Sequence, residues 1–266
     1  MRAVKFVKMH GAGNDFILID DRDGTFPVDD HRRVAALAAR RYGVGCEGVI
    51  LVQASMVADF RMRFFNPDGT EADLCGNGAR CVAMFAREIG AAKGRFMSFE
   101  TRAGTVDAEV VDEGHVKVWM PPPRALSGDF VIAGVPHAIV PVENLAAVDV
   151  ETEGRRIRLA DAYAPDGTNV DFVRYRPPSS ASIRTYERGV EGESGACGTG
   201  SVAAAVVGVA NHAMVFPVRV KTVGGYELTV DGEYDGKSFS SVTLTGPVKR
   251  VFAGEIDWDS LDIVTE

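Results

Sequence analysis

The chain has 266 residues, 46% hydrophobic and 25% charged, enough for one large domain or two of ordinary size, and no apolar run long enough to span a bilayer. A net charge of −8 and a pI near 5.2 argue against nucleic acid or an anionic membrane as partner, and the opening Met1-Arg2-Ala3-Val4-Lys5-Phe6 has no apolar signal core, so a cytoplasmic protein handling a small molecule is expected. Cys46, Cys75, Cys81 and Cys197 form no Cys-x-x-Cys and the five histidines are scattered, which excludes a disulfide framework and a zinc site and leaves free thiols with no metal.

In chain order, residues 4–9 and 16–20 read as strands around the turn Gly11-Ala12-Gly13-Asn14. Residues 29–41 read as an amphipathic helix capped by Asp29 or Asp30 and stopped by Gly43-Val44-Gly45. Strands at 49–53 and 60–65 lead into the turn Asn66-Pro67-Asp68-Gly69, and a helix over 76–88 is led by Cys75. Residues 95–100, 104–111 and 116–120 read as an antiparallel meander, broken by Pro121-Pro122-Pro123. The pattern then restarts with a strand at 130–133, a turn at Gly134-Val135-Pro136-His137, and strands at 138–142, 155–159, 171–175 and 183–186. A helix over 198–210 is led by Cys197, strands follow at 218–222, 226–230 and 241–245, and 257–266 reads as an acidic surface tail.

A unit Cys-Gly-x-Gly opens both cysteine-led helices, at Cys75-Gly76-Asn77-Gly78 and Cys197-Gly198-Thr199-Gly200. Gly13 and Gly134 stand 62 and 63 residues before these cysteines, and Thr101 and Thr222 stand 26 and 25 residues after them. A constant offset over such a span implies an internal duplication. Two α+β halves are therefore expected, 1–120 carrying Cys75 and 121–266 carrying Cys197.

A cysteine at a helix start feels the positive end of the peptide dipoles and several unpaired N–H groups, which lowers its pKa from about 8.5 towards neutrality. The glycine after it lets those N–H groups approach an anion such as a carboxylate. Two such thiols facing one carbon suit moving a proton from one face to the other. Cys46 and Cys81 lack the repeated frame: Cys81 is assigned to packing, and Cys46, in its glycine loop, stays open between a structural place and one near the cleft. Asn66 precedes Cys75 by nine residues, and Glu187 and Arg188 precede Cys197 by ten and nine. An Arg fork suits a carboxylate and a Glu suits an ammonium, although such a pair standing alone is more often a surface ion pair. His137, which the repeat aligns with Phe16, stays open between a structural and a site role.

Met9-His10-Gly11-Ala12-Gly13-Asn14-Asp15-Phe16 resembles the opening signature of the diaminopimelate epimerases. Asn66-Pro67-Asp68-Gly69-Thr70-Glu71 with Leu74-Cys75-Gly76-Asn77-Gly78-Ala79-Arg80-Cys81 resembles their first cysteine motif, and Tyr186-Glu187-Arg188-Gly189 with Ala196-Cys197-Gly198-Thr199-Gly200 their second. The likeness continues to Thr245-Gly246-Pro247 and Val251-Phe252. It implies a pyridoxal-independent epimerase without cofactor, interconverting LL- and meso-diaminopimelate for lysine and peptidoglycan precursors. The implied fold is two pseudo-symmetric α+β domains, each a mixed or antiparallel sheet wrapped on a central helix, clasping an amino-acid substrate in the cleft between them. By position, Cys75 and Cys197 would exchange base and acid roles, with His137 and Glu187 tuning their ionisation. Asn14, Asn66, Asn169, Glu187 and Arg188 would bind substrate, and Gly76, Asn77, Gly198 and Thr199 would hold the reacting carboxylate. The partner expectations are this small molecule, no nucleic acid and no membrane, with the oligomeric state open between monomer and homodimer.

Two departures from the family pattern bear on substrate. Val135 stands where many members carry Asn, and Glu47 where Asp is usual. The alternatives are a racemase of another amino acid such as histidine or glutamate, a non-catalytic amino-acid-binding protein, and a thiol-redox protein. Proline racemases and phenazine-pathway isomerases share the architecture, but the first lack the Met-His-Gly-x-Gly-Asn opening and the second lack the cysteine pair.

Overall fold

A helix whose surface is largely covered has to sit against sheet on several sides, and this chain contains two, Gly76–Glu88 and Gly198–Asn211. In the computed structural model, which describes residues 2–263, each is the centre of its own unit: Met1–Val118 with Pro247–Glu266, and Trp119–Gly246. The first unit runs β1 (Ala3–Gly11), β2 (Asn14–Asp20), α1 (His31–Ala38), β3 (Val49–Gln53), β4 (Phe60–Phe65), β5 (Glu71–Ala72), α2 (Gly76–Glu88), β6 (Phe96–Thr101), β7 (Gly104–Val110) and β8 (His115–Trp119). The second runs β9 (Arg124–Ser127), β10 (Phe130–Ala133), β11 (Val135–Pro141), α3 (Val150–Arg158), β12 (Asn169–Arg176), β13 (Ser180–Glu187), β14 (Gly192–Ser194), α4 (Gly198–Asn211), β15 (Val218–Thr222) and β16 (Glu227–Tyr234), and ends in β17 (Phe239–Asp257). This is an α+β fold with few helices and much sheet. No helix among the described residues is long and apolar enough to cross a membrane.

The duplication seen in the sequence is a duplication of pairing order. In the first unit β1–β2 is antiparallel, β2–β3 parallel across α1, β3–β4 antiparallel, β4–β6 parallel across α2, and β6–β7 antiparallel. In the second, β10–β11, β11–β12 across α3, β12–β13, β13–β15 across α4, and β15–β16 repeat the same sequence of senses. Parallel neighbours need a crossover, and each crossover helix covers one face of the sheet.

Helix α2 packs on β1, β2, β3, β4 and β7 and buries ten of its thirteen residues. Helix α4 packs on β10, β11, β12, β13, β15 and β16 and is buried continuously from Gly200 to Gly208. Alanines and glycines let the strands come close to both. The outer crossover helices are amphipathic instead. Val34 and Leu37 of α1 join Ile17, Ile19, Val49 and Leu51 in one cluster, and Val150 of α3 joins Val170, Phe172 and Tyr186 in another. Strands β2 and β3 are thus covered on both faces and read as continuous apolar runs rather than alternations.

Four local expectations are corrected. Residues 155–159 belong to helix α3, not to a strand. Asp149 caps α3 by accepting from the Thr152 N–H, Glu151 and Glu153 occupy its first turn, and Arg155, Arg156 and Arg158 its last, all matched to the helix dipole. The helix expected at 29–41 is shorter, because after Ala38 the chain folds back and the Val44 and Gly45 N–H groups bond to Leu37 O. His137 lies within β11, paired to Asn169, since the turn is made by Gly134 alone at φ 78°. The end of the chain is no surface tail: Trp258 is buried against Phe26, with ring centroids 4.9 Å apart, and Leu261 is also buried. Residues 264–266 of that expected tail lie outside the described residues.

The domain boundary also differs from the expected 1–120 and 121–266. The chain leaves the first unit at Val118, just before the triple proline, but it returns at Pro247. The later part of β17 pairs antiparallel with β1, from Val248 opposite Gly11 to Asp257 opposite Ala3, so the last strand completes the first sheet. Strand β9, which follows β8, pairs with β10 in the second unit.

Helix α3 crosses so close to β13 that a Cβ on Gly154 would lie 2.4 Å from Tyr186 Cβ. Gly154→Ala gains about 1 kcal/mol of helix propensity but overpacks by roughly 1–3 kcal/mol. A lower urea midpoint than the parent chain is the expected outcome.

Candidate active site

Each unit carries candidate residues at the N-terminus of its own central helix. In the first, β4 turns through Asn66-Pro67-Asp68-Gly69 into β5, which delivers Cys75 as the N-cap of α2. Gly69 has φ 82°, and a Cβ there would lie 2.1 Å from His31 O, so only glycine fits this turn. The Asp68 carboxylate accepts from the Thr70 N–H (2.9 Å) and hydroxyl (2.6 Å), and Asn66 Nδ2 donates to Thr70 Oγ1 (3.1 Å). Cys75 is half-buried, and its carbonyl takes the Ala79 N–H at 2.7 Å. The amides of the first turn therefore have no intrahelical acceptor. A Cβ on Gly76 would meet nothing within 4 Å, whereas one on Gly78 would meet Ile50 Cδ1 at 3.0 Å. Asn77 is buried and its Oδ1 accepts from Arg80 Nη2 (2.7 Å).

The β1–β2 hairpin contributes Asn14. Ala12 (φ 53°) and Gly13 (φ 87°) form its two-residue loop, and Asn14 pairs with Gly11. Asn14 Oδ1 is buried and has no hydrogen-bond partner among the described residues. Glu47 is exposed and pairs with Arg40 at 2.6 Å, a surface role that its extra methylene serves. Cys46 and Cys81 are buried free thiols, and burial pushes Cys46 up to about 11 and Cys81 further, which suits packing rather than proton transfer.

In the second unit Cys197 caps α4, buried, with Sγ accepting from the Gly200 N–H at 3.4 Å and Thr199 Oγ1 also 3.4 Å away. Its carbonyl accepts from the Ser201 N–H and hydroxyl, both at 3.0 Å. Burial pushes the Cys197 thiol well up, the Glu187 and Asp171 carboxylates push the same way, and the Thr199 and Gly200 donors only partly oppose them. This overturns for Cys197 the lowering expected from a helix start alone. His137 is fully buried, with Nδ1 2.6 Å from Asp171 Oδ2.

Glu187 ends β13 and Arg188 follows it, both half-buried. The Arg188 guanidinium reaches only the Asp166 and Gly167 carbonyls, each at 3.5 Å, and pairs with no carboxylate among the described residues. Asn169 is engaged at both ends: Nδ2 donates to Pro136 O (3.2 Å) and Oδ1 accepts from the Arg188 N–H (2.8 Å). It acts as a strut that holds Arg188 beside the β10–β11 turn. Val135, half-buried, opens β11 in that turn.

The second unit thus brings together Cys197, Gly198, Thr199, His137, Asn169, Glu187 and Arg188, and the first sets Cys75, Gly76 and Asn77 at one helix start, with Asn66 in the β4–β5 turn and Asn14 on the hairpin. Among the buried polar groups that the sequence did not single out are Asp171, Thr185 and the fully buried Arg80. Asp171 was detectable as a carboxylate amid the apolar strand Asn169–Arg176, where an ionised group has to have a partner. Among the described residues no three His, Cys, Asp or Glu side chains gather as a metal site requires.

A family profile described as diaminopimelate epimerase matches residues 6–126 and 130–251. The diaminopimelate epimerase of Chlorobaculum tepidum is 43% identical over 259 residues, covering 93% of this chain and 99% of that protein. That of Aquifex aeolicus is 40% identical over 285 residues, covering 97% and 100%. Among solved structures, a phenazine biosynthesis protein of the PhzF family from Bacillus anthracis superposes with a TM-score of 0.73 at 19% identity, covering 96% of this chain and 99% of that one. A hydroxyproline epimerase from Agrobacterium vitis, with bound trans-4-hydroxy-L-proline, gives 0.67 at 20% identity, covering 96% and 92%. The likeness to these two structures is one of fold.

Just before Cys75, the Glu71 carboxylate is gripped by Arg63 through two bonds of 2.8 and 2.9 Å, which hold it below the usual carboxylate range. A depressed carboxyl pKa stabilises the fold above the unfolded-chain value and ceases to do so as pH falls through the folded value. Glu71→Gln is expected to cost about 1 kcal/mol at pH 7, and its urea midpoint should converge with the parent's as pH falls through the lowered folded-state value of Glu71.

Proposed function

The chain belongs to the diaminopimelate epimerase family, and from that premise we propose that it interconverts LL- and meso-diaminopimelate by passing protons through Cys75 and Cys197. The observation that carries this reading is the duplicated cap: two cysteines, each the N-cap of a largely buried helix and each followed by a glycine at the helix start.

The α-hydrogen of an amino acid is a very weak acid, so the carbanion has to be stabilised as it forms. Amides of Gly76, Asn77, Gly198 and Thr199 aimed at the α-carboxylate supply preorganised donors where that charge develops. One cysteine, as thiolate, takes the α-proton and becomes a thiol. The carbanion pair then takes the proton of the other cysteine on the opposite face, leaving it a thiolate, and the reverse reaction exchanges the roles. Atoms and charge balance with no further reagent. Arg188 and Glu187 suit the distal carboxylate and ammonium, Asn66 and the orphaned Asn14 Oδ1 suit the ammonium groups, and Asn169 keeps Arg188 in place.

Val135 favours one second reading, a racemase of another amino acid by the same two-thiol chemistry, because valine offers no amide to the distal end of the substrate. Proton NMR of the reduced protein in heavy water, with LL-diaminopimelate, glutamate, histidine and proline in parallel, separates the two. Loss of the α-hydrogen signal with meso product from diaminopimelate alone is the expected result; exchange with another amino acid only would move the substrate assignment to it. Cys75→Ala and Cys197→Ala should each reduce kcat by about 10²–10⁴-fold or more, whereas Cys81→Ala should turn over normally. Survival of the Cys75 variant would end the two-cysteine reading.

A further inference from the structure

The two units put different chemistry beneath matching helix starts. By the repeat, Phe16 aligns with His137. In the strand pairs that follow, Ile50 faces Phe64 in the first unit and Asp171 faces Thr185 in the second. The first trio is apolar and buried, with the two phenyl rings edge to face at 6.2 Å. The second is a buried hydrogen-bonded chain: Thr185 Oγ1 donates to Asp171 Oδ1 at 2.7 Å, and Asp171 Oδ2 lies 2.6 Å from His137 Nδ1. Asp171 also presses on the first turn of α4, where a Cβ on Gly200 would lie 2.4 Å from Oδ1. His137 Nε2 is buried and has no partner among the described residues.

An ionised carboxylate only accepts, so the nitrogen facing Asp171 has to carry a proton, which leaves Nε2 as the acceptor of the neutral ring. The first unit has a buried charge of the opposite sign. Arg80, fully buried in α2, bonds to Asn77 Oδ1 (2.7 Å) and Gly76 O (3.4 Å) and pairs with no carboxylate among the described residues. A buried cation without a carboxylate favours an anion nearby, whereas a buried carboxylate disfavours one.

We propose that Asp171 is a positioning residue: held by Thr185, it fixes His137 with Nδ1 protonated, and its charge at the first turn of α4 keeps the proton on Cys197, so that Cys197 starts as donor and Cys75 as acceptor. The assignment of roles rests on the two-cysteine reading above; the effect of Asp171 on Cys197 does not. The charged groups bearing on Cys197 come from three of the six strands that pack on α4. Glu187 ends β13, Asp171 lies on β12, and His137 on β11 is reached through Asp171. Strand β10 has no titratable side chain. Strands β15 and β16 bury Val218, Val220, Leu228 and Val230 and leave Arg219, Lys221, Glu227 and Asp231 exposed.

The test is iodoacetamide labelling of the reduced, ligand-free full chain from pH 6 to 10, with each cysteine followed by peptide mass spectrometry. The half-labelling pH of Cys197 is expected to lie above that of Cys75. In Asp171→Asn it should fall by about one unit, a roughly tenfold faster reaction at neutral pH, with Cys75 unchanged. An unshifted Cys197 profile in the folded variant, or a Cys197 midpoint below that of Cys75 in the parent chain, would overturn the proposal. Should Asp171→Asn fail to fold, nitrogen-15 NMR of the parent chain decides. A His137 ring protonated at Nδ1 supports the proposal, and a ring protonated at Nε2 alone overturns it. Neither readout needs turnover, so absence of epimerase activity would leave this result standing.

Discussion

The candidate site residues depend on the burial of α2 and α4 beneath sheet, which covers ten of the thirteen residues of α2, and α4 from Gly200 to Gly208. A helix enclosed by sheet satisfies its apolar surface and its interior backbone, but not the first turn of N–H groups, which have no acceptor within the helix. Acceptors for those amides have to come from outside the helix backbone, as Cys197 Sγ does for the Gly200 N–H. Both cysteines stand at that point, with glycine beside them. The Ala-rich and Gly-rich composition that permits close packing of strands on the helix also allows an anion to approach its end.

The same enclosure decides how the thiols ionise. A helix terminus contributes up to about 2 kcal/mol to a thiolate in a favourable, partly buried position. Full burial costs a charged group up to roughly 4–7 kcal/mol. For Cys197, which is buried and lies near two carboxylates, the second effect wins and the thiol is pushed up. Acidity at such a site belongs to the whole neighbourhood. A bound ligand that replaced water and supplied an ammonium would change the balance again.

Duplication explains the scaffold, and the departures from it carry the chemistry. The two units share an order of strand senses and a cysteine cap, yet Phe16, Ile50 and Phe64 stand where the second unit has His137, Asp171 and Thr185. Inverting one stereocentre needs two groups in opposite protonation states at the start of each turnover. A perfectly repeated pair would start alike. Unlike buried groups beneath like helix starts resolve that conflict without altering the frame.

The cysteine frames, the turns that precede them, both central helices and the family were legible in the chain alone. They rest on local rules: glycine where a positive φ or close approach demands it, a capped apolar run for a helix, and repetition at constant offset. The segment at 155–159 was misread as a strand because the short amphipathic helix it belongs to, with three arginines, shows little apolar period until its cap and its contact with Tyr186 are seen. Arg80 and Asp171 were in plain view, but a sequence does not say which charges are buried, and burial is what gives them force. The return of Pro247–Asp257 to β1 was equally hidden, since pairing between the two ends of a chain leaves no local trace. Sequence by itself therefore determined the reaction type and the residues at each helix start. Only the tertiary structure decided which side chains lie beneath them, because solvation and charge act through distance in space and not along the chain.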